Sequence, residues 1–172
     1  AVVEGPLGAP IRAPWGELGP RGAWGPGSGV IEMARASGLA LLTPSERNPL
    51  RTSTHGTGQL IRQAATRGVR RLILGIGGSA TVDGGTGMAQ ALGYRFLDAR
   101  GRELRGCGGT LGAIASIDAS PYLAWRLALG RDGLSIHVAS DVTNPLLGLR
   151  GAARVFGPQK GATPAQVEQL EE

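Results

Sequence analysis

The sequence contains a single cysteine, Cys107, among its 172 residues. An internal disulfide is therefore excluded, and the composition favours a reducing, cytoplasmic environment over secretion. No apolar run approaches the roughly 18 residues that a membrane-spanning helix requires, and the first residues show no signal-peptide pattern. We therefore expect a protein that has no membrane partner.

Lysine is equally scarce: Lys160 is the only one, against 17 arginines, although the net charge is +5. The arginines are scattered along the chain, and Arg70 and Arg71 form the only adjacent pair. There is no basic run and no alternation of basic and aromatic residues, so we expect no nucleic-acid partner. The positive balance favours a modest attraction of small anionic substrates.

Aromatic residues make up only 4% of the chain, whereas glycine and proline are abundant, at 30 and 11 residues. There is no repeat, and apolar segments recur throughout, so this composition indicates ordered loops rather than disorder. A chain of this length fits one domain and can bury a core. Short apolar runs alternate with helical patterns, which predicts an α/β fold around a mostly parallel or mixed sheet.

One stretch combines a strand, a glycine-rich loop and a helix. Residues 70–76 are an apolar run typical of a buried strand, and residues 88–92 resume as a helix that Gly93 ends. Such a loop before a helix presents free amides to an anion, and glycine lets the backbone approach it closely. Asp83, within the loop, is a predicted metal ligand. The predicted phosphate-binding residues are Gly77, Gly78, Ser79, Ala80, Thr81, Gly84 and Gly85.

Residues 75–80 also match the dinucleotide-binding pattern G-x-G-x-x-A, and Asp98 follows the next predicted strand, where a ribose-binding acid is expected. A nicotinamide-dependent oxidoreductase is therefore an alternative. It has a physical flaw, because Gly84, Gly85 and Gly87 would fall in the first helical turns at a cost of about 1 kcal/mol each. The helix is accordingly predicted to begin after Gly84 or Gly85. A Walker loop is excluded, since no Gly-Lys-Ser/Thr follows.

Two flanking segments carry further candidate positions. Residues 134–140 alternate as a strand with Asp141 at its C-terminal end, where α/β proteins place ligand and metal groups. A helix is predicted before Gly68, and its N-terminus, with Thr54 and Thr57, is a second possible anion site. His55, beside them, is more typical of a capping residue than of a base.

The chain as a whole resembles the type I glycerate kinases. The family's signature loop corresponds to GIGGSATVDGG (75–85). In the family's order and spacing, the chain also contains EMA (32–34), SGL (37–39), NPLRT (48–52), GTG (56–58), DVTNPLLG (141–148) and VFGPQKGAT (155–163). This sequence departs from the family pattern at Thr143, where an acid is frequent, so Asp141 is the only carboxylate in its stretch.

The resemblance implies phosphoryl transfer from ATP to D-glycerate with Mg²⁺, giving 2-phosphoglycerate or 3-phosphoglycerate. It also implies a two-domain α/β kinase of which residues 1–172 are the central part, with flanking parts of the second domain missing. The lack of an initiator Met and the helical pattern at 164–172, which ends without a cap, fit that expectation. A catalytically incomplete fragment that only binds ligand is a further alternative.

Phosphoryl transfer requires charge neutralisation and often a base, and the resemblance suggests three catalytic residues. Asp83 and Asp141 are expected to share metal binding and the general-base role. Lys160, in a glycine-flanked loop, is expected to neutralise charge on the transferring group.

Three further residues are expected to bind the substrate. Arg51 is assigned to the glycerate carboxylate, because its planar guanidinium suits bidentate pairing. The resemblance places Glu32 near the substrate cleft, although the sequence alone allows a helix-surface position. Asn144, in a turn before Pro145, is expected to orient substrate or metal-bound water.

Overall fold

The computed structural model describes residues 1–19, 21, 24–131 and 133–172. Short strands occur from one end of this part of the chain to the other. They are β1 (Val2–Glu4), β2 (Pro10–Arg12), β3 (Gly16–Glu17), β4 (Ser28–Glu32), β5 (Arg71–Gly75), β6 (Arg95–Leu97), β7 (Ser116–Asp118) and β8 (Ser135–Ala139). The predicted strands at residues 70–76 and 134–140 are confirmed as β5 and β8.

The α-helices are also short. They are α1 (Ala34–Ser37), α2 (His55–Thr66), α3 (Thr86–Leu92), α4 (Ser120–Ala128), α5 (Ala152–Phe156) and α6 (Pro164–Glu171). Short 3₁₀ helices span Leu39–Leu41, Pro44–Glu46, Gly108–Ala113 and Pro158–Lys160. None of the helices in the described ranges combines the length and the apolar character that crossing a membrane would require.

The central sheet has four strands in the order β3-β4-β5-β8. Strands β4, β5 and β8 are parallel, and β3 pairs antiparallel with β4. The register pairs Glu32 with Gly75 and Gly75 with Ala139, so the carboxyl ends of the three parallel strands lie side by side. Two antiparallel pairs, β1–β2 and β6–β7, lie outside this sheet. The predicted α/β fold with a mixed, mostly parallel sheet is confirmed.

The hydrophobic core lies between the sheet and α2. Leu60 and Ile61 of α2 are fully buried in one cluster with Ile31 of β4 and Leu72 of β5. Burying each such side chain contributes about 1.5–3 kcal/mol. This packing fixes α2 as the crossover between two parallel strands, so the helix runs back along the sheet and its N-terminus lies at the carboxyl edge of the strands.

The outer strand β8 is exposed along its whole length. By register, Ile136 and Val138 continue the face that Leu72 and Leu74 present to the core, yet they are 38% and 58% exposed. The alternating pattern therefore predicted the strand, but its apolar side chains are not covered by the residues that the structure describes.

The helix that follows the glycine-rich stretch begins where the sequence predicts. Gly85 precedes α3 with φ +75°, a backbone angle that favours glycine. Gly93 ends α3 with φ +113°. The following strand, β6, is also present, but it pairs with β7 instead of joining the central sheet.

Helices α2 and α3 approach each other closely at Gly58. A Cβ atom at this position would clash with the carbonyl oxygen of Met88 and would lie 2.7 Å from the Cβ of Ala91. Neither neighbour is the end of a flexible side chain, so the backbones would have to separate. The contact therefore depends on glycine although glycine is a poor helix former.

We expect Gly58→Ala to lower the free energy of unfolding by about 1–3 kcal/mol because of overpacking, even though alanine favours helix by about 1 kcal/mol. Urea unfolding followed by circular dichroism measures the change. Gly112→Ala is the control, because a Cβ there meets nothing within 4 Å. Equal stability of the two variants would contradict the close packing of α2 on α3.

Candidate active site

The carboxyl edge of the parallel strands brings together three predicted segments. Strand β4 ends at Glu32, β5 leads into the glycine loop (residues 76–85), and β8 is followed closely by Asp141. The amide of Ile76 donates to the carbonyl of Ala139 at 3.4 Å, so the loop begins beside the end of β8. In α/β proteins this edge is where ligands bind.

On one flank, the glycine loop is fixed to the last residue of α1 and to the segment that follows it. The amide of Leu39 donates to the carbonyl of Gly78 at 2.9 Å. The amide of Ala80 donates to the carbonyl of Ser37 at 2.8 Å. The Ala80 amide, predicted to bind phosphate, is therefore used within the protein.

Other amides of the loop remain available. The amides of Gly77, Gly78 and Ser79 donate to no acceptor in the described part of the chain. Gly78 has φ +70°, which a residue with a Cβ adopts only under strain. Successive free amides in such a turn form a concave site that suits an anion. The residues present therefore fit a phosphate group.

Lys160 anchors the other flank of the loop. Its Nζ donates to the Oγ of Ser79 at 2.8 Å and to the carbonyl of Thr81 at 2.7 Å. The side chain is almost completely buried, and this burial lowers the pKa of Lys160, while the nearby Asp83 carboxylate opposes the change. The structure thus places the only lysine of the chain in contact with the predicted phosphate-binding loop.

Asp83 lies beneath the loop, and only 2% of it is exposed. Its Oδ2 accepts from the amide and hydroxyl of Thr54 at 2.8 and 2.7 Å and from the amide of Gly87 at 3.3 Å. Its Oδ1 accepts from the amide of Gly85 at 3.1 Å. Burial raises the pKa of Asp83, and these hydrogen bonds oppose the rise. This geometry does not fit the predicted metal-ligand or general-base role, because the carboxylate faces buried donors instead of the open edge.

The same carboxylate serves the N-termini of two helices. Thr54 precedes α2 as its N-cap, and Gly87 lies in the first turn of α3. Because helix N-termini favour negative charge, Asp83 takes the position that an external anion would occupy at α2. The second anion site, predicted at the N-terminus of α2, is therefore occupied by the Asp83 carboxylate of the chain itself. Thr57, its other predicted hydroxyl, lies 2.8 Å from the Oγ of Ser37.

Asp141 and Asn144 lie in the exposed segment after β8. The Nδ2 of Asn144 donates to the carbonyl of Arg150 at 2.9 Å, so this side chain stabilises its own loop. Within the described ranges, no three His, Cys, Asp or Glu side chains form a group that could hold a metal. A metal at Asp141 would therefore depend on ligands from substrate and water, which Mg²⁺ commonly uses.

Arg51 is exposed beside the second flank of the loop. The hydroxyl of the adjacent Thr52 donates to the carbonyl of Ala80 at 2.8 Å. This contact places the residue that follows Arg51 against the middle of the glycine loop. Arg51 forms no ion pair with the residues that the structure describes.

A depression of about 480 Å³ opens beside Gly75 and Gly77, on the flank of the loop next to α1. Its charged lining consists of Arg12, Glu32 and Arg35. Glu32 was predicted near the cleft, whereas the two arginines were not singled out among 17 scattered ones. The spacing of Glu32 and Arg35 was not a usable signal, because pairing of residues three apart is a rule for helices and Glu32 is the last residue of β4.

The oxidoreductase alternative fails on the position of Asp98. Its Oδ1 accepts from the amides of Arg100 and Arg102 at 2.8 and 2.9 Å, so the side chain closes its own turn. The preceding strand β6 lies outside the central sheet. The acid therefore does not stand beside the glycine loop, where a ribose would need it.

A model of the glycerate kinase family matches residues 1–172. The chain belongs to the glycerate kinase family. It is 52% identical over 171 residues to a glycerate kinase of Bacillus subtilis (strain 168). It is 49% identical over 171 residues to a glycerate 2-kinase of Escherichia coli (strain K12). Each alignment covers 99% of this chain and 42% of the relative, so the chain spans less than half the length of the curated glycerate kinases it matches.

A solved structure supports the fold. The chain superposes on a crystal structure from Salmonella typhimurium LT2, solved under the name glycerate kinase 2, with a TM-score of 0.89 and 50% sequence identity. The alignment covers 99% of this chain and 43% of that one. Family membership agrees with the resemblance of the motifs and does not favour the oxidoreductase alternative.

For this glycerate kinase family chain, we expect Asp83→Asn to lower the free energy of unfolding by about 1–3 kcal/mol, because the new amide group must face one of the buried N–H donors. Urea unfolding followed by tryptophan fluorescence measures the loss. Asp141→Asn, at an exposed position, is the matched control and is expected to leave the stability unchanged. An unchanged midpoint for Asp83→Asn would mean that Asp83 does not anchor the two helices.

Proposed function

We propose that the complete protein containing this chain is a glycerate kinase that transfers the γ-phosphoryl group of ATP to D-glycerate. The observation that carries the proposal is the set of three free amides, of Gly77, Gly78 and Ser79, at the carboxyl edge of the sheet. An oxygen of glycerate bonds to the γ-phosphorus while the bond from that phosphorus to the β,γ-bridging oxygen breaks. ADP leaves with the electron pair, and the hydroxyl proton passes to a base.

The preferred product is 2-phosphoglycerate, with 3-phosphoglycerate as the alternative. The Escherichia coli relative is named a glycerate 2-kinase, and it is 49% identical to this chain. That name supports the choice of hydroxyl without deciding it, because either hydroxyl of glycerate can act as acceptor. The regiochemistry is therefore part of the experiment.

The glycine loop would bind phosphate through its backbone. Free N–H groups that are already held in place stabilise charge on phosphate oxygens without reorganising during the reaction. Gly84 and Gly85, predicted as further phosphate contacts, instead form the turn into α3, where Gly85 donates to Asp83. We therefore assign phosphate binding to the first part of the loop, residues 77–79.

Lys160 and Asp83 are assigned positioning roles. The two hydrogen bonds of the Lys160 amine hold Ser79 and Thr81, and those of Asp83 hold the turn that follows. Both groups are buried beneath the loop. Their charges would act on a bound phosphate mainly by fixing the shape of the loop that contacts it.

Asp141 is the candidate for both remaining carboxylate roles, because it is exposed at the same edge. Mg²⁺, when bound with ATP, neutralises charge on the phosphate oxygens, and Asp141 would be the protein ligand nearest that edge. Asn144 and Arg51 remain candidates for orienting substrate from the loops on either side. Effective positioning by several such groups supplies much of the rate enhancement in phosphoryl transfer.

The complete natural protein is expected to release ADP from ATP only when D-glycerate is present. A coupled ADP assay measures turnover, and ³¹P NMR distinguishes 2-phosphoglycerate from 3-phosphoglycerate. Asp141→Asn is expected to lower kcat about 100-fold or more, as for loss of a general base. Asp98→Asn is the control and should leave turnover unchanged, since Asp98 closes a turn away from the edge.

Two outcomes would reject the proposal. Binding of ATP and D-glycerate without any turnover by the complete protein would favour the ligand-binding alternative. If Asp141→Asn kept full turnover and Asp98→Asn abolished it, the active site would not lie at the carboxyl edge of the sheet.

For Lys160, we expect Lys160→Met to lower kcat/KM for ATP about 10- to 100-fold, since it removes two hydrogen bonds from a charged donor. Ser79→Ala, which removes only one of them, is expected to have a smaller effect. Hydrogen exchange at the Ala80 amide, which donates to the carbonyl of Ser37, should become faster in both variants, in proportion to the kinetic loss. A large loss of kcat with unchanged exchange would instead indicate that Lys160 acts directly on the transferring phosphoryl group.

A further inference from the structure

We propose that the depression bounded by Arg12, Glu32 and Arg35 is the acceptor pocket, and that it binds a small hydroxy acid. In this proposal the Arg12 guanidinium binds the carboxylate of the acid, and Glu32 accepts a hydrogen bond from one of its hydroxyl groups. The identification of the acid as D-glycerate rests on the proposed function; the existence of the pocket does not.

The position of the pocket favours an acceptor site. It lies at the carboxyl ends of β4 and β5, and Gly75 and Gly77 form part of its wall. A ligand in the pocket would therefore lie directly beside the free amides at residues 77–79, which are assigned to phosphate. Phosphoryl transfer requires the acceptor hydroxyl and the phosphate to be neighbours in this way.

The charges in the pocket complement a hydroxy acid. Arg12 is exposed and forms no ion pair with the described residues, so its guanidinium is available for a carboxylate. Glu32 is held by one oxygen only: its Oε2 accepts from the Nε of Arg35 at 2.7 Å. Its second oxygen is thus left to accept from a hydroxyl donor. One free cation and one oriented acceptor match one carboxylate and one hydroxyl.

The remaining wall of the pocket is apolar. Pro14, Ala34, Ala40 and Leu41 also line it. Apolar neighbours reduce the local dielectric constant and so strengthen an arginine–carboxylate contact relative to one in open water. Arg51, by contrast, does not line this depression. The geometry therefore favours Arg12 over Arg51 for the carboxylate.

The test uses the complete natural protein and a matched pair of arginine variants. Arg12→Lys keeps the charge but loses bidentate pairing, and it is expected to raise KM for D-glycerate about 10- to 100-fold with KM for ATP unchanged. Arg100→Lys, at an exposed turn, is the control. If Arg51→Lys raises KM for D-glycerate and Arg12→Lys does not, the assignment of Arg12 is overturned.

Direct binding separates the carboxylate contact from the hydroxyl contact. Calorimetry without ATP compares D-glycerate with propionate, which has the carboxylate but no hydroxyl. Arg12→Lys should weaken both ligands, whereas Glu32→Gln should weaken D-glycerate more than propionate. Equal effects of Glu32→Gln on the two ligands would reject its role as hydroxyl acceptor.

These measurements also distinguish failure of the pocket from failure of the proposed function. Binding that depends on Arg12 in a protein without kinase turnover would retain the pocket and reject the kinase. If substitution of Arg12 and Glu32 left glycerate kinase turnover unchanged, the proposed function would stand and the assignment of the pocket would be rejected. Absence of any hydroxy-acid binding by the unmodified protein would reject the pocket as well.

Discussion

The arrangement of the candidate site depends on one buried carboxylate. Placing an ionised Asp83 beneath the loop carries a desolvation cost of several kcal/mol unless the charge is matched. Four hydrogen bonds from three residues match it, and they come from the starts of both α2 and α3. The two helices and the turn between loop and helix are therefore held in one geometry. If the carboxylate were lost, several N–H groups would be left unpaired in the interior. These buried unpaired donors would cost more free energy than the hydrogen bonds themselves contribute.

The polar interior around Asp83 explains how the outer surface of the loop stays available. Thr52, Thr54 and Thr57 are almost completely buried. Thr52 and Lys160 donate to carbonyl groups of the loop, Thr54 donates to Asp83, and Thr57 pairs with Ser37. A fully satisfied polar network is rigid, so the outward-facing amides at residues 77–79 are fixed without a ligand.

Local sequence patterns predicted the helices and strands well. The features that they did not predict depend on contacts between residues that lie far apart in the sequence. Glycine placement gave the start of α3 at Thr86 and its end at Gly93, because both depend on backbone angles that one residue determines. The role of Asp83 could not be predicted, since its burial depends on Thr54, which lies 29 residues earlier in the chain. An acid in a glycine loop has the same local sequence whether it faces metal or helix. Arg12 was missed for a related reason, because β2 reaches the sheet edge only through tertiary packing.

The scarcity of lysine has a consequence for chemical probing of this chain. The Lys160 ammonium is the only side-chain primary amine among the 172 residues. It is buried and donates two hydrogen bonds to the glycine loop. An amine-acylating reagent can reach it only when those bonds open, and only its neutral form reacts. The rate of acylation at this position therefore reports how often the loop leaves its folded geometry, with no competing lysine among residues 1–172.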